Sequence, residues 1–266
     1  MTPFTFIEGD SPLLLSIPHA GTDLTPEVAS GLSPAARPLS DTDWHIPQLY
    51  DFARGLGASV LAANYSRFVI DLNRPADDQP LYTTATTGLF PDVLFDGTPA
   101  FIPGNAPSEA VRAGYLRDIW QPYHQTLQQQ LARIKQRYGY ALLFDAHSIA
   151  SRIPRLFDGA LPDLNLGTNG GFSCAPAIES ALLEACQSQY RWSWVLNGRF
   201  RGGYITRAYG QPEQHQYALQ LELAQCNYMS EQAPFAWQPA KARELQPMLE
   251  RIVRTFMDAA ARLYHS

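Results

Sequence analysis

Lysine is nearly absent from this chain. Of the 20 basic residues among 266, only Lys135 and Lys241 are lysines, and the other 18 are arginines. There is no basic block, and the formal net charge is -5. Together these exclude general nucleic-acid binding, which needs a basic face. Charge is sparse at 17% against 45% hydrophobic residues, too apolar a balance for a disordered chain. No apolar run approaches the roughly 18 residues of a membrane span. The short run Leu13–Ile17 follows no basic segment and precedes no small-residue cleavage site, so no signal peptide is expected. Cys174, Cys186 and Cys226 are far apart and form no CxxC pair, which argues against a zinc knuckle or a disulfide framework and for a reduced, cytoplasmic setting. There is also no GxSxG elbow and no P-loop, and Gly167–Gly171 (GTNGG) is not a dinucleotide fingerprint.

What is present is an alternation of short apolar strands and helical stretches. Strands are expected at Leu13–Ile17, Ala58–Asn64, Arg67–Leu72, Tyr140–Phe144, Arg191–Leu196 and Tyr217–Leu223. Helices are expected from Asp43 to Leu56, Ser108 to Tyr138 with a kink or break at Pro122, Ala175 to Tyr190 and Lys241 to Tyr264. Residues 76–107 and 149–173 read as long loops, and Gly202–Tyr209 as a hairpin or loop. This order predicts one α/β domain over 1–266, with a mixed, mostly parallel sheet flanked by helices on both faces. Such sheets bind ligands at the carboxyl ends of their strands.

Polar residues gather at those ends. His19 follows the first strand, Asn73-Arg74 another, and Asp145 and His147 a third. His19 and His147 are candidate ligands of one divalent metal, because neutral imidazole suits zinc. A third protein ligand is needed, and Asp41, Asp43 and His45 all offer one, with Asp43 the first choice. Glu222 sits among apolar neighbours, where burial raises a carboxyl pKa and suits it to general base and then general acid duty. Arg67, Asn73 and Arg74 present two guanidinium forks and an amide that match carboxylates. The segment Asn197–Arg207 adds Arg199, Arg201, Tyr204, Thr206 and Arg207 on a glycine-permitted loop, with Arg201, Tyr204 and Thr206 as substrate-binding candidates. With a net charge of -5, attraction for an anionic substrate must be local.

The pieces SIPHAGT, SDTDWHIPQLYDFA, SRFVIDLNRP, LLFDAHSI, PRLFDGALPDLNLGTNGG, FRGGYITRAYG and LQLELAQCNYM resemble the N-formylglutamate amidohydrolases (N-formylglutamate deformylases) of histidine degradation, over about residues 13–230. That family is similar in turn to the zinc carboxypeptidases and aspartoacylases. The resemblance implies a phosphorylase/hydrolase-like fold, and one zinc held by His19, His147 and an acid. It implies carboxylate binding by Asn73 and Arg74 with Arg67 assisting, a Glu222 base, and hydrolysis of N-formyl-L-glutamate. Carboxypeptidases carry the acidic ligand in HxxE; here that position is Thr22, which keeps Asp43 as first choice. The alternative is a related zinc-dependent deacylase or carboxypeptidase-like hydrolase of another acidic substrate. A binding protein lacking catalysis would have lost a ligand or the base, and none is missing. The expected partner is a small acidic molecule, not nucleic acid or membrane, with a homo-oligomer left open.

Overall fold

The computed structural model describes residues 2–81, 83 and 85–265. Seven strands, β1 (Phe4–Ile7), β2 (Leu13–Ile17), β3 (Ser59–Ala63), β4 (Ala141–Ile149), β5 (Leu164–Gly167), β6 (Trp194–Leu196) and β7 (Gln216–Ala224), form one sheet in the order β1-β3-β2-β4-β7-β5-β6. The pairs β3/β2, β2/β4, β4/β7 and β5/β6 are parallel, whereas β1/β3 and β7/β5 are antiparallel. The sheet is therefore mixed and mostly parallel, as expected.

Helices cover both faces. On one lie α2 (Ile46–Leu49), α5 (Pro176–Gln187) and the long α7 (Pro239–His265), packed on Leu142, Phe144, Ala146, Leu219 and Leu221. On the other lie α1 (Pro26–Gly31), α3 (Glu109–Tyr115), α4 (Gln121–Tyr138) and α6 (Tyr204–Tyr209), packed on Leu14, Leu143 and Ala218. In α4 the buried stripe Tyr123, Leu127, Leu131 and Ile134 steps by three or four, which puts it on one helix face. Along the α4 side of the sheet, the residues of β4 run Ala141, Leu143, Asp145, His147, and those of β7 run Ala218, Gln220, Glu222. One face thus changes from apolar to polar along the strands, and the site begins where it changes.

Several local expectations change. Arg67–Leu72 is a buried turn and not a strand, although Phe68, Val69, Ile70 and Leu72 are all buried. The stretch from Asp43 is broken: His45 has φ 64°, α2 lasts one turn, and a 3-10 helix follows over Asp51–Leu56. Gly202–Tyr209 contains α6 instead of a hairpin. The loop 149–173 holds β5. Ser108 caps α3 as expected, its Oγ accepting from Val111 N. Between α3 and α4 the helix continues through a π turn, Leu116–Trp120, where Gln121 N reaches back to Leu116 O. Pro122 lacks an N–H to bond four residues back, and the π turn lies just ahead of it. Among the described residues no helix is long and apolar enough to cross a membrane.

Candidate active site

Three side chains from different parts of the chain converge beyond the strand ends. His19 follows β2, Asp43 lies in the loop before α2, and His147 is near the end of β4; one donor atom from each lies within 4.8 Å of the others, and all three residues are buried. Each histidine is oriented from behind. His19 Nε2 donates to Asp71 Oδ1 at 2.7 Å, and His147 Nε2 donates to Asp145 Oδ2 at 2.8 Å. Their Nδ1 atoms face Asp43 Oδ2 at 3.9 Å and 3.1 Å. Carboxylates that fix one ring nitrogen and leave the other free to ligate are the usual support of metal-bound histidines. Burial and the Arg67 guanidinium push the His19 pKa down, whereas Asp145 and Asp43 outweigh burial at His147 and hold its pKa well above the ordinary value, so this cluster of carboxylates favours a cation between the rings. The donor set therefore fits a metal ion.

The other two candidates for the third ligand point elsewhere. Asp41 Oδ2 accepts from Phe95 N at 2.7 Å, and burial raises its pKa to about 6. His45 Nε2 bonds Phe235 O at 2.8 Å beside Trp44 and Trp237. Asp43 is not a helix cap; its Oδ2 also accepts from Ser148 N at 3.2 Å.

Around this group lies a cavity lined by Arg67, Asn73, Arg74, Thr87, Phe95, Arg199, Gly203, Gln220 and Glu222 as well as the triad. Glu222 is the register partner of His147 on β7, so both stand on the same sheet face. Burial pushes its carboxyl pKa up to about 8. Gln220 Nε2 lies 3.4 Å from Glu222 Oε2. Arg67 Nη2 donates to Asp71 Oδ2 at 2.6 Å, its guanidinium lies 4.6 Å from the Phe95 ring centre, and its buried Nε has no hydrogen-bond partner among the described residues. Arg74 is held by the loop it faces, donating through Nε to Thr87 O at 2.7 Å and through Nη2 to Thr86 Oγ1 at 3.1 Å. Asn73 is shared: Oδ1 accepts from Ile205 N at 2.8 Å at the start of α6, and Nδ2 lies 3.4 Å from Asp145 Oδ2. Gly203 makes room for it, since a Cβ there would meet Asn73 Nδ2 at 2.3 Å.

The arrangement joins a metal-binding triad, a buried carboxyl and several guanidinium groups in one cavity. The sequence pattern of the N-formylglutamate amidohydrolase family matches residues 11–229. N-formylglutamate deformylases from Pseudomonas aeruginosa and Pseudomonas putida are 58% and 55% identical to the chain; the matches cover 95% and 98% of it, and 95% and 97% of those proteins. The chain belongs to the N-formylglutamate amidohydrolase family. Its fold agrees with the crystal structure of N-formylglutamate amidohydrolase from Ralstonia eutropha JMP134 at a TM-score of 0.83, with 21% identity over the whole of both chains. A gene product from Agrobacterium tumefaciens matches at 0.70 with 15% identity, covering 100% of this chain and 97% of that one.

In this N-formylglutamate amidohydrolase family member, three of the predicted substrate-binding residues do not line the cavity. Arg201 and Arg207 line a separate outer cavity, which Arg199 shares. Thr206 is fully buried, and Tyr204 packs on Trp120 and His124. Both belong to α6, whose helical turn points them away from the cavity that a hairpin would have let them face. The sequence reading gave no role to Asp71, Asp145, Gln220 or Phe95. The spacing Asp145-x-His147 held the signal for one of them, since residues two apart on a strand share a face.

His124 is buried and stacked on Trp120 with ring centres 3.9 Å apart. Burial pushes its pKa from 6.5 down to about 4. The unfolded chain therefore takes up a proton near pH 6.5 that the folded chain refuses until about pH 4. Stability is lost as pH falls through that window, by up to about 3 kcal/mol from this group. Chemical denaturation of the wild type and of His124→Gln at pH 7 and pH 4.5 should show a shallower loss in the variant; equal slopes would remove His124 from the acid sensitivity.

Proposed function

We propose that this chain hydrolyses N-formyl-L-glutamate to formate and L-glutamate, working as a single cytoplasmic amidohydrolase domain with one divalent metal, Zn2+ by its donor chemistry. The observation that carries the reading is the meeting of His19, Asp43 and His147 with Glu222, Arg67 and Arg74 on one cavity wall. When bound, a zinc ion supplies Lewis acidity, which eases proton loss from water and polarises a carbonyl.

The residues of the chain do the remainder. Glu222, with its raised pKa, takes the proton of the attacking water and returns it to the glutamate nitrogen as the C–N bond breaks. Arg67, with a buried Nε that has no partner among the described residues, stabilises the negative oxygen of the tetrahedral centre. Arg74, with Asn73 and Arg199 beside it, holds the substrate carboxylates. These cavity-wall arginines provide the local positive field that the net charge of the chain does not. The three cysteines are free, in keeping with a reducing compartment.

The test measures formate and glutamate release from N-formyl-L-glutamate, before and after chelation and after zinc is restored. Activity should vanish with chelator and return with zinc. N-acetylglutamate and N-formylaspartate, assayed in parallel, separate this reading from that of a deacylase with another acidic substrate. A fully metallated protein inactive on the formyl substrate would overturn the proposal.

A further inference from the structure

The turn that carries Asn73 and Arg74 belongs to no helix or strand, so its carbonyls need partners from elsewhere. They find them on α4, the preceding π turn and α6. Leu72 O accepts from His124 Nε2 at 2.9 Å, and Arg74 O accepts from Trp120 Nε1 at 2.9 Å. Between them, Asn73 O accepts from Tyr204 N at 3.4 Å and from the Arg74 guanidinium at 3.0 Å. Three successive carbonyls are thus gripped, the outer two by side chains four residues apart on one helical face. Trp120 and His124 stack with ring planes 28° apart. The Tyr209 hydroxyl lies 2.8 Å from His124 Nδ1; by donating there it leaves the imidazole proton on Nε2, aimed at Leu72 O. Trp120 is the last residue of the π turn, which sets the phase of the helix that presents both rings. Neither ring lines the cavity.

We propose that Trp120 and His124 are positioning residues of the substrate clamp: by holding the backbone on either side of Asn73 they set where the Asn73 amide and the Arg74 guanidinium stand in the cavity. This rests on the reading above, in which Arg74 binds a substrate carboxylate. It predicts a loss expressed chiefly in binding, because His19, Asp43, His147 and Glu222 are carried by other segments, which the turn meets only through Asp71 and the Asn73 amide.

Trp120→Phe keeps a six-membered ring to stack on His124 but removes the pyrrole half of the indole, and with it the N–H. It should raise KM for N-formyl-L-glutamate about tenfold, with kcat and metal content unchanged. His124→Leu should do the same, and His124→Gln, which keeps a donor for Leu72 O, should lie closer to the wild type. N-formyl-4-aminobutyrate and N-formyl-L-glutamine each lack one carboxylate; the one missing the group that Arg74 holds should show the smaller rise in KM.

Glutarate, a dicarboxylate that cannot be hydrolysed, gives a readout independent of turnover. Its Kd by calorimetry should also rise about tenfold in Trp120→Phe and His124→Leu. Unchanged KM and Kd in both variants overturn the inference, as does an equal rise for all three substrates or a parallel fall in kcat and metal content. A wild type that binds glutarate and releases no formate, with weaker glutarate binding in the variants, overturns the hydrolytic reading and leaves the positioning role standing. A wild type that neither binds glutarate nor releases formate overturns both.

Discussion

Glu222→Gln is expected to lower kcat by about a thousandfold, while the protein keeps its metal and its affinity for a non-hydrolysed dicarboxylate. Gln has the shape of Glu and retains an oxygen near Gln220 Nε2, so the fold should be undisturbed. What it lacks is an atom that can take a proton from water and hand it to nitrogen. The raised pKa of Glu222 arises first from burial, the same burial that makes this strand read as apolar around it. Single-turnover formate release, metal analysis and glutarate calorimetry on the same preparation check the prediction. A Gln variant that turns over at the wild-type rate removes Glu222 from proton transfer.

The second large effect is expected at Asp71, which touches three different functional groups. Its Oδ1 accepts from His19 Nε2 at 2.7 Å and from Asn73 N at 2.8 Å, and its Oδ2 accepts from Arg67 Nη2 at 2.6 Å. Burial favours the neutral acid, yet His19, which donates to it, and the Arg67 and Arg74 guanidinium groups outweigh it and hold the carboxyl well below its ordinary pKa. Asp71→Asn leaves the buried Arg67 guanidinium without its ion-pair partner, which should cost about 3–5 kcal/mol of stability. It also frees the His19 ring, which should weaken metal binding by about 10–100-fold. Urea denaturation of the metal-free protein reads the first effect and zinc titration against a competing chelator reads the second. A metal-free variant as stable as the wild type would show that Arg67 is satisfied without Asp71.

The central strands were legible because their patterns are long and strong. β2 and the start of β4 coincide with apolar runs that lead into polar residues, from which His19 and His147 follow; β7 coincides with an alternating stretch in which Glu222 stands among apolar neighbours. β1 and β5, at four residues each, are too short to stand out from their loops. The error at Arg67–Leu72 has a different cause. Its apolar residues are buried as in a strand, but its backbone bonds go to Ser66, to Leu89 and, at Leu72 O, to His124 on a helix 52 residues away, and no local pattern reveals the last two. The same holds for Asp43: its neighbours Asp41 and His45 carry equally suitable atoms, and only the fold decides which one faces His19 and His147.

The register of β4 against β7 has one more consequence. His147 and Glu222 are paired across a parallel ladder, so the spacing of their α-carbons is the distance between adjacent strands, about 4.8 Å, which backbone hydrogen bonds fix. The backbone gap between His147 and Glu222 is thus a property of sheets in general, insensitive to which side chains fill the core. Natural variation in the loops that bear Phe95, Arg74 and Arg199 can then retune which acid is accepted without altering that interval.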